Sequence, residues 1–207
     1  MATRSMATRP EATGDEHETL GSDILAVPKA LASLARLGRL GPRALLDQVL
    51  GTSMVARLGA VEPTGWYPIA WLLEMTDVLD TRLGEFGLRR VGRTLFELSH
   101  ADQVRARLSC GMHIVQGIDA MYRHANRGRD IGGWTVRSVH EHGAMLEKTT
   151  PHHCAMEEGI VSAAMAAVDC RVVVSQPTCT RRGDDLCRFE VSLLTGPWLP
   201  AAHAALL

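Results

Sequence analysis

The spacing of the apolar residues changes at Gly132-Gly133, and this change constrains the fold more than any other feature of the sequence. Before these glycines, apolar positions recur every three or four residues, as on one face of a helix. The longest such stripe covers residues 104–122 in steps of 4, 3, 4, 3 and 4, which predicts one helix of about six turns. After the glycines, residues 134–139 follow a period of two, which predicts a strand with one exposed side.

The remaining segments divide in the same way on either side of this point. Short helices are predicted over residues 43–50 and from Pro68 onward. A further helix begins near Cys154, strands cover residues 170–176 and 187–193, and a turn at residues 181–185 joins these two strands. The sequence therefore predicts an α+β fold, in which a helical N-terminal half is followed by an antiparallel sheet with packed helices.

Charge and hydropathy exclude several classes of protein. Lys and Arg number 22 against 23 Asp and Glu, so the net charge of −1 gives no bulk attraction for nucleic acid. Residues 81–137 contain ten arginines and five acidic residues, and this local excess of positive charge is typical of a solvated helical face. No apolar run approaches the roughly 18 residues of a membrane span, and the first twenty residues lack a signal-peptide core. We therefore expect a cytoplasmic protein that binds neither nucleic acid nor membrane.

Five cysteines are too few for a disulfide scaffold, and their odd number indicates reduced thiols. Cys179 and Cys187 flank the predicted turn, where cross-strand Cβ atoms lie about 4.5 to 5.5 Å apart and could chelate one metal ion. Further ligands could come from Cys154 and from the strand end at residues 140–142. The spacing alone leaves three alternatives open, which are a zinc site, a pair of inert buried thiols and a disulfide.

The C-terminal part resembles a known family. Residues 110–191, with Gly159 five residues after Cys154 and the ending Cys-x-x-x-Gly-Asp-x-x-Cys-x-Phe-x-Val, resemble the V4R (4-vinyl reductase) domain. That domain belongs to a superfamily with haem-nitric-oxide-binding domains and vesicle-tethering subunits, and it is similar to the sensory domain of phenol-responsive activators. The upstream Gly-Trp-Tyr-Pro and Leu-Gly-Glu-Phe-Gly-Leu-Arg-Arg segments look like the helical portion that often precedes it.

The resemblance implies four segments and a zinc site. The segments are a disordered leader (1–21), a helical portion (22–100), a V4R-like ligand-binding portion (101–193) and a C-terminal tail (194–207). In the phenol sensors three Cys and a Glu hold a structural zinc, and Cys154, Cys179 and Cys187 match the three Cys. The position of the Glu falls on His140, with Glu141 beside it as the alternative fourth ligand. Imidazole is an equally good zinc ligand.

The resemblance also implies a cavity for a small hydrophobic or aromatic ligand. Its expected lining residues are Trp134, Tyr122, His113 and Phe96, although each of them could equally belong to the core. Haem sensors of the superfamily use a helical His and a Tyr-x-Ser-x-Arg motif, which the Tyr-Arg-His-Ala-Asn of residues 122–126 does not reproduce. His100 and His113 are the histidines near the long helices, so haem stays an alternative without support from a motif.

We expect a stand-alone sensory module and not an enzyme. No phosphate loop, dinucleotide-binding motif, HExxH motif or nucleophile elbow is present. Because only a short tail follows Val191, the signal would pass to an effector protein or through a homodimer. The alternatives are a haem or tetrapyrrole sensor, an accessory protein of vinyl reduction in tetrapyrroles, and an interaction scaffold without a ligand.

Overall fold

The computed structural model describes residues 17–35 and 42–200, and within them it has the α+β architecture predicted from the sequence. The helices are α1 (Gly21–Ala35), α2 (Pro42–Leu50), α3 (Thr52–Leu58), α4 (Ile69–Ser99), α5 (Ala101–Arg107), α6 (Gly111–Ala125) and α7 (Cys154–Ala167). The strands are β1 (Glu18–Leu20), β2 (Trp66–Pro68), β3 (Asn126–Arg127), β4 (Trp134–His140), β5 (Gly143–Lys148), β6 (Arg171–Thr178) and β7 (Cys187–Thr195). In the described part of the chain, no helix is both long and apolar enough to cross a bilayer.

The strands form two antiparallel sheets. The larger sheet has the order β4-β5-β7-β6, so that both of its edges are strands with an irregular register. The smaller sheet has the order β2-β1-β3 and joins three short segments that are far apart in sequence. Ala144, Leu146 and Phe189 from the two central strands are buried and place the core on one face of the larger sheet.

Two glycines bring α4 and α7 into contact at a single crossing. A Cβ atom on Gly92 would lie 2.0 Å from the carbonyl oxygen of Met156, and one on Gly159 would lie 2.0 Å from that of Arg89. Side chains larger than hydrogen therefore cannot be accommodated at either position without separating the helices. This crossing joins the helical N-terminal half to the sheet-containing half. The buried apolar side chains form two clusters, and each cluster includes residues from both of the segments 22–100 and 101–193.

The long helix predicted over residues 104–122 is broken in the structure. Leu108 and Cys110 are extended, so α5 ends at Arg107 and α6 begins at Gly111. The first amide groups of α6 donate to the carbonyl oxygens of Pro197 and Trp198. The C-terminal segment thus satisfies the N–H groups that the break exposes, which explains why an uninterrupted apolar stripe does not form one helix.

The predicted leader and tail are also shorter than expected. Residues 18–20 form the central strand of the smaller sheet, and helix α1 begins at Gly21, so residues 17–21 do not belong to a disordered leader. At the other end, β7 extends to Thr195, and Trp198 is buried with its indole N–H donating to the carbonyl oxygen of His140. The rest of the predicted leader (1–16) and tail (201–207) lies outside the described residues.

Candidate functional site

Three buried thiols meet where α7, β6 and β7 converge. Cys154 is the first residue of α7, Cys179 follows the end of β6, and Cys187 is the first residue of β7. The Sγ atom of Cys154 lies 3.4 Å from that of Cys187 and 3.6 Å from that of Cys179. Zinc ligands at the corners of a tetrahedron, with Zn–S bonds of about 2.3 Å, are about 3.8 Å apart. The three sulfurs therefore lie close to the spacing of zinc ligands, and the cluster could hold a metal ion.

A buried lysine adjoins this thiol cluster. The Nζ atom of Lys148 lies 3.2 Å from Cys154 Sγ and 2.8 Å from Glu157 Oε2, and it also donates to the carbonyl oxygen of His152. Burial alone would lower the pKa of Lys148, but the charge of Glu157 and its hydrogen bond to Lys148 help to raise it. A hydrogen bond from the Cys154 thiol lowers the pKa of Cys187. Lys148 is therefore a buried cation that can balance a thiolate.

His140 and Glu141 do not join the thiols, so the predicted fourth ligand is wrong. His140 pairs with Gly143 at one end of β5, whereas Cys187 pairs with Lys148 at the other end. Five residues of strand separate the two ends, or about 17 Å at about 3.3 Å per residue. Both side chains are exposed. Among the described residues, the candidate metal ligands of this cluster are the three cysteines. The distance between His140 and the thiols depends on β5, which pairs with both β4 and β7. The sequence pattern does not predict this strand.

A cavity of about 400 Å³ lies beside the thiol cluster, between the helices α4 to α7 and strand β4. This volume is within the range of small-molecule pockets. Its walls are largely apolar and include Leu95, Val104, Ile114, Ile118, Val161 and Ala164. Nine lining residues have polar side chains, namely Asp23, His100, Gln103, Arg107, Tyr122, His124, Asn126, His152 and Glu157. Apolar walls with a few placed polar groups are typical of a site for a small, mostly apolar molecule.

Three of the four residues that were predicted to line a cavity do line it. Phe96, Tyr122 and Trp134 line the cavity, and all three are buried. His113 does not line it, although it lies on α6, and its Nδ1 atom is 3.4 Å from the hydroxyl of Ser109. The reason is the position of His113 on α6. The face of this helix that lines the cavity carries Ile114 and Ile118, and His113 lies beside that face.

Sequence reasoning missed the polar residues on the cavity wall that come from distant segments. His152 is buried, and burial together with the charge of Lys148 lowers its pKa to about 3, so its ring is neutral. The Nε2 atom of His100 lies 3.1 Å from Asp23 Oδ1. Burial would lower the pKa of His100, but the hydrogen bond and the charge of Asp23 raise it. His152 and His153 directly precede Cys154 in the sequence, and this proximity to a candidate metal ligand is the one sequence signal for His152.

Several solved structures with a similar arrangement of helices and sheet are of H-NOX proteins. An Fe(II) unliganded H-NOX protein from K. algicida matches with a TM-score of 0.60 and 10% identity, over 87% of this chain and 100% of that chain. An H-NOX domain variant from Shewanella oneidensis in the Fe(II)CO state matches with a TM-score of 0.61 and 16% identity, over 83% and 98%. The chain has the H-NOX fold. Another H-NOX structure gives a TM-score of 0.63 at 12% identity, over 87% of this chain and 97% of that chain.

No family model matches this chain, and no curated protein matches it. The similarity to H-NOX structures, at 10 to 16% identity, shows the fold alone. The more specific resemblance to V4R domains and phenol sensors stays a prediction.

The cavity meets the requirements of the haem of H-NOX domains only in part. An iron ligand needs a nitrogen whose lone pair faces the cavity. His152 lines the cavity, but its unpaired Nδ1 atom is buried, and Nε2 of His100 is held by Asp23. The two carboxylates of haem need cations, and Arg107 is the one arginine on the described wall. The carboxylates of Asp23 and Glu157 lie on the same wall and would repel them. The described residues thus fit haem only through the apolar walls and the single arginine, Arg107.

Proposed function

We propose that this chain is a sensory module that binds a small, mostly apolar molecule in the cavity between α4, α6 and α7. The observation that carries the proposal is the cavity of about 400 Å³, with apolar walls and a small number of polar groups, most of them paired within the protein. The H-NOX fold supports it. Solved H-NOX structures include an unliganded Fe(II) protein from K. algicida and proteins from S. oneidensis whose Fe(II) carries CO or NO.

The test uses toluene and indole as probe ligands of the purified protein. Saturable binding measured by calorimetry, together with a rise in melting temperature, is the expected result. A side chain that fills the cavity should abolish it. Gly117 lies on the wall, and a Cβ atom placed there meets nothing within 4 Å, so Gly117→Leu should occupy the space without a clash.

The matched control is Gly117→Ala, which alters the same backbone position but adds a single methyl group. It should retain binding of both probes, whereas Gly117→Leu should weaken it at least tenfold. If neither probe binds to the wild-type protein, or if both bind equally to Gly117→Leu, the cavity is not the ligand site. A protein that binds no probe and carries no pigment would be better described as an interaction scaffold.

Haem is the second candidate ligand, and the specific observation in its favour is the shared fold with H-NOX domains. When bound, haem would supply an iron centre for a diatomic gas. Of this chain's residues, His152 and Arg107 line the cavity and are the candidates that would hold it. An absorption spectrum of the purified protein decides between the candidates. A Soret band that disappears in His152→Ala would favour haem, and a spectrum without bands in the visible range would favour the apolar ligand. A visible pigment other than haem would favour the tetrapyrrole-accessory alternative.

We also propose that the thiol cluster of Cys154, Cys179 and Cys187 binds zinc. Thiolate ligands suit zinc, and the nearby Lys148 ammonium offsets their negative charge. Three protein thiolates leave the fourth position to a small ligand such as water. Elemental analysis should find one zinc per chain. Cys187→Ser should lose it, whereas Cys110→Ser, which alters a buried thiol outside the cluster, should keep it. Equal zinc content in the two variants would argue against the site.

A further inference from the structure

The three sulfurs of the thiol cluster lie closer together than the corners of a tetrahedron around zinc. Cys154 Sγ lies 3.4 Å from Cys187 Sγ and 3.6 Å from Cys179 Sγ, and all three sulfurs lie within 4.8 Å of one another. With bonds of about 2.3 Å, the two shorter separations correspond to sulfur–metal–sulfur angles of about 95° and about 103°, below the tetrahedral value of about 109°. Such angles are typical of a central atom with three bonds and one lone pair. The sulfurs therefore favour a pyramidal, three-coordinate centre.

The part of the chain that the structure describes offers this cluster no fourth ligand. The candidate metal ligands that meet here are the three cysteines, and His153, which precedes Cys154, is engaged elsewhere. The Nδ1 atom of His153 accepts from the amide of Ala155, and its Nε2 atom lies 3.1 Å from Asp80 Oδ2. A structural zinc ion is almost always held by four protein ligands. A centre with a lone pair is complete with three.

The charges around the cluster favour a centre that forms a neutral complex. Lys148 Nζ lies 3.2 Å from Cys154 Sγ but 2.8 Å from Glu157 Oε2, so one buried ammonium is shared between a carboxylate and the thiols. Three thiolates on a divalent ion carry a net negative charge, which a shared ammonium balances only in part. Three thiolates on a trivalent ion carry none. Because burying an unbalanced charge is costly, a trivalent centre suits this site.

The cluster lies directly beneath the surface of the protein. Each of the three cysteines is at most 4% exposed, but residues 180–185, which join β6 to β7, are exposed. The hydroxyl of Thr180 lies 3.3 Å from Cys187 Sγ, and the amide of Thr180 donates to the same sulfur. One exposed turn therefore separates the sulfurs from solvent, so a small uncharged molecule has a short path to them.

We propose that the thiol cluster binds trivalent arsenic, which enters as arsenous acid and forms one bond to each sulfur. This inference rests on the proposed metal site of Cys154, Cys179 and Cys187, and it names the class of centre that the site prefers over zinc. Each As–O bond of arsenous acid is replaced by an As–S bond, each thiol gives its proton to the departing hydroxide, and three water molecules leave. Arsenic stays trivalent, so the exchange needs neither an oxidant nor a reductant.

The first test is the intact mass of the reduced wild-type protein after incubation with sodium arsenite and a zinc chelator. The chain should gain one arsenic atom and lose three hydrogen atoms. Attachment through two sulfurs would leave a hydroxyl group on arsenic, which gives a different mass and would overturn the proposal. Absence of any arsenic adduct would also overturn it. This measurement depends on no variant that must fold.

A competition between the two centres tests the preference. Protein loaded with zinc should release it to an indicator dye when an equal amount of arsenite is added. Retention of zinc in a large excess of arsenite would overturn this inference and leave the zinc site standing. A protein that binds neither zinc nor arsenic would overturn the proposed metal site as well.

Cys179→Ser should weaken arsenite binding at least about a hundredfold, because a third donor that is already held in place raises the affinity by about 10² to 10⁴. The matched control is Cys110→Ser, which alters a buried thiol outside the cluster and should bind arsenite as the wild type does. Arsenite should raise the melting temperature of Cys110→Ser but not of Cys179→Ser. Equal affinity of the two variants for arsenite would contradict binding through all three sulfurs.

Discussion

Replacing Gly159 with alanine should force α4 and α7 apart. The new Cβ atom would lie 2.0 Å from the carbonyl oxygen of Arg89, whereas ordinary contact begins at 3.4 Å, so the helices must separate locally by about 1.4 Å. A gap of about 0.5 to 1 Å already forfeits a quarter to a half of the dispersion energy of each contact. Overpacking of this kind costs about 1 to 3 kcal/mol, and the backbone here cannot move aside as a flexible side chain could.

The intrinsic preference of alanine for helices acts in the opposite direction and returns about 1 kcal/mol. Because the clash is with backbone, we place the overpacking cost at the upper end of the range of about 1 to 3 kcal/mol. The expected net loss in the free energy of unfolding is then about 2 kcal/mol. This corresponds to a melting temperature about 4 to 8 °C lower for a chain of this size. Circular dichroism during thermal and urea unfolding would measure the change.

Gly117→Ala is the matched comparison for Gly159→Ala, since it is also a helical glycine but its Cβ would meet nothing within 4 Å. It should raise the stability by about 0.5 to 1 kcal/mol. The two substitutions therefore have opposite expected signs for the same chemical change. A Gly159→Ala protein that is as stable as the wild type would refute the close helix crossing.

Three further predictions concern buried ionisable side chains. Lys148→Met should lower stability by about 3 to 5 kcal/mol in urea unfolding because it leaves Glu157 buried without its partner, and Lys148→Met with Glu157→Gln should recover much of that loss. His152, with a pKa of about 3 when folded and about 6.5 when unfolded, contributes stability that is present above pH 6.5 and is lost as the pH falls, by about 2 kcal/mol at pH 5. Unfolding midpoints of His152→Phe should depend less on pH between 5 and 6.5. His100 has a raised pKa, so its pairing with Asp23 stabilises the fold below pH 6.5 and is lost as the pH rises through the folded value; Asp23→Asn should remove this dependence.

The sequence predicted the elements whose signals are local. The apolar periods located the helix at Cys154 and the strands β4, β6 and β7 to within a few residues. The spacing of Cys179 and Cys187 about a turn, together with the family resemblance, identified the three thiols that the structure brings together. Each of these inferences depends on residues that are close in the chain, or on a motif that fixes them.

The elements that the sequence did not predict are set by contacts between distant segments. The smaller sheet pairs Thr19 with Tyr67 and with Asn126, and no run of three residues indicates such a pairing. Strand β5 ends in Lys148, whose charged side chain points into the interior, so the expected alternation of polar and apolar residues is absent. Without β5 the register of β4 against the thiols is unknown, and His140 could be placed at the wrong end of the sheet.

The edges of the larger sheet determine how two copies of this chain can meet. On β4 the register shifts between Val136 and Ser138, with Arg137 at the irregularity. On β6 the register shifts between Ser175 and Thr178, a stretch that contains Pro177, which has no N–H to donate. Bulges, charges and proline at an edge prevent a further strand from adding to a sheet. Within the described residues the sheet ends at four strands, and we expect both edges to disfavour edge-to-edge pairing between molecules in a concentrated solution.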